Sequence, residues 1–137
     1  EGADHVVDHS KACYLDEVKQ FTGGNGPELI LEMLANVNLG VDMDLAAKFG
    51  RIVIIGNRGE ITVNPRIAMM KELDIRGIAL WNATPEQVEI MMEDILNGAA
   101  EGKVRPIIGR QMPLAEAAAA HVTMLEPGAY GKIVLVP

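Results

Sequence analysis

Residues Leu29 to Ile61 read LILEMLANVNLGVDMDLAAKFGRIVIIGNRGEI, and this stretch decides the fold. Leu29, Ile30 and Leu31 form a short apolar run. Arg51 to Ile55 form a second, rich in β-branched residues and closed by Gly56. Short apolar runs bounded by turn residues suit strands buried on both faces. Between them Leu39, Met43, Ala46 and Ala47 recur at helical spacing. Asn38 is placed to cap that helix, and Gly50 to end it in a left-handed turn. Strand, helix, strand is a βαβ unit with parallel strands and a right-handed crossover.

Outward from this unit the alternation continues. Upstream, His5 to Asp8 fits the end of a strand. Ser10 is placed to cap a helix with Tyr14, Val18 and Phe21 on one face, and the turn 23–27 (GGNGP) stops it. Downstream, Asn57 to Glu60 form a polar loop after a buried strand. Ile61 to Val63 form a short extended piece, and Asn64-Pro65 has the form of a cap followed by proline, with Ile67 and Met70 facing inward. Leu73 to Trp81 reads as a strand whose charged side, Asp74 and Arg76, suits a sheet edge. Thr84-Pro85-Glu86-Gln87 is a capping box. It opens a helix with Val88, Met91, Met92, Ile95 and Leu96 on one stripe, weakened or ended at Asn97-Gly98 or at Gly102. An extended stretch at Ile107 to Gly109 follows. Pro113 then opens a helix carrying Leu114, Ala117, Ala118, His121, Val122 and Leu125, broken at Pro127-Gly128, and Lys132 to Val136 is a last strand. The pattern is α/β with a parallel sheet.

Composition excludes several classes. The 137 residues are 49% hydrophobic, enough for a core. A net charge of −7 weighs against a nucleic-acid surface, RNA included. One cysteine excludes an internal disulfide framework and a zinc site built from several cysteines. No apolar run approaches the ~18–20 residues of a membrane span, and no signal pattern opens the chain. The expected setting is the reducing cytoplasm. The first residue is Glu1, not Met, which reads as a processed chain or a piece of a longer one.

Neither G-x-G-x-x-G nor the P-loop occurs, nor do H-E-x-x-H or G-x-S-x-G. His121, on an apolar stripe, reads as a packed histidine, and Cys13, Met69, Met70, Met91 and Met92 read as structural. Position supplies the remaining candidates, because open parallel sheets bind ligands outside the carboxyl ends of their strands. Those ends fall near His9, at 35–38, at 55–58 and at 78–80. Asn38 there either caps its helix or offers an amide to a ligand. Gly56 either makes a turn or admits a cofactor close to the backbone. Arg58 offers positive charge or is an ordinary surface arginine.

Four segments carry a resemblance. They are Glu32 to Leu39 (EMLANVNL), Gly50 to Gly59 (GRIVIIGNRG), Ile107-Ile108-Gly109 with Pro113-Leu114 and Ala119-Ala120-His121, and Gly131 to Leu135 (GKIVL). Together they resemble the zeta-crystallin type of NADPH:quinone oxidoreductase, a zinc-free branch of the medium-chain dehydrogenase/reductase family. Glu32 to Leu39 is the most specific of them. The resemblance implies the carboxyl-terminal part of a Rossmann doubly wound parallel sheet plus the returning segment of the catalytic domain. Residues 1–81 would be a partial Rossmann domain without its first two strands and glycine fingerprint, and 82–137 the closing helix and catalytic-domain segment.

By that resemblance the cofactor is NADPH and its contacts are His9, Asn38, Ile55, Gly56, Asn57, Arg58, Ile78, Ala79 and Leu80. The family usually has serine in place of Asn57. No residue is nominated as catalytic and none as a metal ligand. The expected reaction is reduction of a quinone, with the isolated piece inactive. The expected partner is a second copy, in a homodimer or homotetramer, through the edge Leu73 to Trp81. Two other readings remain open: a non-enzymatic truncated, crystallin-like or RNA-binding protein, and an enoyl or alkenal reductase of the same superfamily.

Overall fold

A computed structural model describes residues 2–128 and 130–137. The chain divides into two units, Glu1–Asn82 and Ala83–Pro137.

The first unit is built on a parallel sheet of three strands, β1 (Leu29–Glu32), β2 (Arg51–Ile54) and β3 (Asp74–Gly77), in the order β1-β2-β3. Helix α1 (Tyr14–Phe21) precedes the sheet. Helix α2 (Ala35–Leu45) joins β1 to β2, and α3 (Pro65–Lys71) joins β2 to β3. Met43, Ala46 and Ile52 form the buried centre, with Ile30, Leu39, Val63, Ile67, Ala68 and Leu73 packed against it. Ile52 is fully buried, and taking such a side chain out of water contributes about 2 kcal/mol.

Several boundaries differ from the expectations, each for a physical reason. His5 to Asp8 is not a strand. No described strand takes up its backbone groups, and Asp8 Oδ1 instead accepts from Ser10 N and Oγ at 3.0 and 2.7 Å. Ser10 is thereby used in a local turn, and the residue before α1 is Cys13, which makes no side-chain cap. Helix α2 starts at Ala35, so Asn38 lies inside it and does not cap it. It ends at Leu45 rather than at Gly50. The left-handed residue of the following turn is Phe49 (φ 65°), held by its N–H on Lys71 O at 2.7 Å. The strand expected over Leu73 to Trp81 stops at Gly77. One more bond, Ile78 N to Ile54 O at 2.9 Å, follows before the chain turns into a 3-10 turn at Leu80–Asn82. As expected, Asn64 caps α3 by accepting from Arg66 N. Met70, expected inside, is exposed together with Met69.

The second unit holds α4 (Pro85–Ala100), β4 (Ile108–Pro113), α5 (Ala117–Thr123) and β5 (Lys132–Val136). The capping box at α4 forms in full: Thr84 accepts from Gln87 N, and Gln87 accepts from Thr84 N. The helix runs through Asn97-Gly98 and ends at Glu101, where Gly102 (φ 72°) takes the left-handed position. Its apolar stripe is formed as expected, yet α4 buries no residue among those described. Strands β4 and β5 pair in parallel. A 3-10 turn at Leu114–Glu116 follows Pro113 before α5 begins. His121, expected to be packed, is exposed. It lines a groove of about 370 Å³ with Ala117, Ala120, Met124, Lys132 and Leu135.

Candidate functional site

Register builds the site. Glu32 stands beside Ile54, and Ile54 beside Gly77, so the three strands end level with one another. The segments that leave them therefore emerge at one rim of the sheet: 33–38, 55–59 and 78–80. The rim brings together Asn38, Ile55, Gly56, Asn57, Arg58, Ile78, Ala79 and Leu80 of the expected set. His9 is not carried there by any strand; it is exposed, in a turn outside the sheet.

The first two segments are tied to each other. Ala35 N donates to Gly56 O at 3.0 Å, and Arg58 N donates to Asn36 Oδ1 at 2.9 Å. Ile55 N and Gly56 N both donate to Glu32 O, at 2.8 and 3.1 Å. Asn57 Nδ2 bonds Gly59 O at 2.8 Å, which shapes the second loop from within. A side chain at position 56 would collide with the Met33 carbonyl, whose carbon lies 2.8 Å from where a Cβ would sit. The glycine is thus required by the chain's own packing, since the Met33 backbone fills the space. Arg58 is exposed and makes no ion pair among the described residues.

Beneath the rim lies a pair of acids that motif reading did not select. Glu32 and Asp42 are 5% and 8% exposed. Glu32 Oε1 accepts from Leu34 N and from Asn38 Nδ2, the latter at 3.3 Å. As a carboxylate, Asp42 has a buried Oδ2 with no hydrogen-bond partner. Burial above all, then a hydrogen bond with Glu32 and the charge of Glu32, pushes the Asp42 carboxyl up from 3.8 to about 7. Of the two buried acids it is Asp42 whose neutral form the surroundings favour. The sequence does carry a signal for the pair. Glu32 ends an apolar run, and Asp42 follows Asn38 by four residues, on the same helical face and next to the buried Met43.

Other chemistry is sparse. Among the described residues no three His, Cys, Asp or Glu side chains gather where they could hold a metal ion. Cys13, read from sequence as structural, is exposed and unpaired with any other cysteine. It lines a hollow of about 600 Å³ with His5, Asp16, Glu17, Gln20 and Phe21, which shares no residue with the rim. Among the described residues no helix is long and apolar enough to cross a membrane.

A parallel α/β sheet with its loops gathered at one rim is the architecture of the Rossmann-type nucleotide-binding proteins. The chain belongs to the zinc-binding dehydrogenase family, whose pattern matches residues 1–135. It is 39% identical to the human protein named quinone oxidoreductase over 136 residues, 98% of this chain and 41% of that one. It therefore spans about two fifths of the length of the curated relatives it matches. Among solved structures, an NAD-dependent alcohol dehydrogenase superposes with a TM-score of 0.84 at 27% identity, over 99% of this chain and 39% of its own. A mycobacterial protein solved with NADPH superposes at 0.83 and 21% identity, over 99% and 44%, a likeness of fold. The family name refers to zinc, but the lone exposed cysteine and the scattered histidines of this chain do not fit a zinc site.

Proposed function

We propose that this chain is the carboxyl-terminal part of a zeta-crystallin-type, NADPH-dependent quinone reductase of the cytoplasm. The observation that carries the reading is the level ending of the three strands, which sets Asn38, residues 55–58 and residues 78–80 along one rim. These are the positions where the resemblance expects cofactor contacts, and the human relative is a quinone oxidoreductase by name. Asn38 would hold the cofactor with its side chain, 55–57 with their backbone and Ile78 to Leu80 with apolar surface. Arg58 adds positive charge for phosphate. Bound NADPH supplies the hydride that a quinone accepts, and the protein's task is to bind and orient. His9, the remaining expected contact, is exposed in the turn before α1, open to a ligand held by the rest of the protein.

The sequence lacks the glycine fingerprint that seats a pyrophosphate on a helix N-terminus, so the chain by itself is expected to show no turnover with NADPH and a quinone. The test is a chimaera in which this chain replaces the matching segment of the human relative. It is expected to bind NADPH and to reduce benzoquinone or naphthoquinone. A folded chimaera that does neither overturns the reading.

The same reading includes a second copy docked on β3. That strand has β2 on one side and no partner on the other among the described residues, with Ile75 exposed on it and Ile78, Leu80 and Trp81 exposed just beyond its end. Unpaired strand edges take up another chain. Sedimentation is expected to give a dimer or tetramer, and Ile75→Lys a smaller species. A monomer at every concentration rules the docking out.

A further inference from the structure

Asn38 and Asp42 stand one turn apart on α2; Asn38 Nδ2 donates to the buried Glu32 at 3.3 Å, and the Asp42 carboxyl lies near enough to feel the charge of Glu32. The charged groups on neighbouring elements are engaged elsewhere. Arg51 of β2 pairs with Asp74 at 2.7 Å, and Lys71 of α3 donates to the carbonyls of Asp44 and Ala46 at 2.6 and 2.7 Å. Asp44 and Arg66 line an open hollow that does not include Asp42. Glu32 is thus left to be satisfied by one backbone N–H, the Asn38 amide and Asp42.

We propose that Glu32 is a positioning residue that, buried with Asp42 beneath the rim, fixes the Asn38 amide so that its oxygen is offered to a hydrogen-bond donor on the ligand. An ionised carboxylate only accepts, so Asn38 must turn its NH2 group toward Glu32. Its Oδ1 is then the acceptor left over, and among the described residues it makes no hydrogen bond. An asparagine held this way favours a ligand carboxamide and disfavours a carboxylate at the same place, because two acceptors would face each other. Without Asp42 holding a proton, two buried negative charges would compete for the site. The inference rests on the reading of Asn38 as a cofactor contact.

The test follows the Asn38 side-chain NH2 resonances of the whole chain by NMR. They are expected to move in one step near neutral pH, together with the Asp42 carboxyl carbon. In Asp42→Asn, where the neighbour donates at every pH, the step is expected to vanish while the fold is kept. In the chimaera with the human relative, which supplies the rest of the fold, NADPH is expected to shift the Asn38 signals at a concentration about tenfold lower than its analogue with a carboxylate in place of the carboxamide. Asn38 signals that ignore the titration overturn the proposal, as does equal response to the two dinucleotides. Signals that follow the titration and ignore both dinucleotides support the positioning by Glu32 and overturn the cofactor reading instead.

Discussion

Equilibrium unfolding of this chain is expected to show stability falling by about 2 kcal/mol through Asp42 as pH rises from below 4 to above 7, about half the full linkage value because solvent screens part of the effect. An exposed Asp42 carboxyl titrates at 3.8, and in the fold it titrates at about 7. Between those values the folded chain keeps a proton that the unfolded chain has released. The contribution is therefore fully present below 3.8 and is lost as pH rises through about 7. Asp8, Asp74 and Glu86 run the other way. Hydrogen bonds to Ser10, to Arg76 and Arg51, and at the first turn of α4 hold them below the ordinary carboxylate values, so their contributions fade as pH falls. Asp8 and Glu86 are exposed and Asp74 is partly so, and water screens all three. Asp42→Asn is expected to flatten the curve between pH 5 and 8. A wild-type curve that is flat or rising across that span would contradict the pairing of the two acids.

Gly56→Ala is expected to cost about 3 kcal/mol, the upper range for forcing a methyl group into packed structure. The atoms in the way are backbone, the carbonyl of Met33, so no side chain can swing aside. Relief requires the β1–α2 connection to move away from the end of β2, which breaks the bond from Ala35 N to Gly56 O. Gly59→Ala is the control, since its nearest neighbours are atoms of the Asn36 side chain, beginning at 3.8 Å. Denaturant midpoints measured side by side check the difference. Equal midpoints for the two variants would show that the loop has slack there.

Much of this was readable beforehand. The runs at Leu29 to Leu31 and Arg51 to Ile55 do form a parallel pair around one helix, but only the second is buried as expected: Leu29 and Leu31 are exposed, because nothing in the described residues covers that face of β1. The cap and proline at Asn64-Pro65 and the capping box and proline at Thr84-Pro85 are local chemistry, and the helices begin where they point. Burial was less legible. The stripe of Val88, Met91, Met92, Ile95 and Leu96 shows that α4 has an apolar face, but periodicity carries no information on whether its cover belongs to the same chain. The rim could be read where a turn residue marks the strand end, as Gly56 does after β2; the end of β3 at Gly77 and the absence of a strand before His9 were not marked in this way. The acids beneath it were hidden by their separation, since Glu32 and Asp42 meet only once α2 has folded back along β1.

The bond from Arg58 N to Asn36 Oδ1 has a bearing on how such a protein diversifies. Two stretches of chain more than twenty positions apart share one hinge of side chain and backbone, so neither can be rebuilt alone. Transplanting the 55–59 segment of a relative would demand its 33–38 counterpart as well, and natural variation in one should travel with variation in the other.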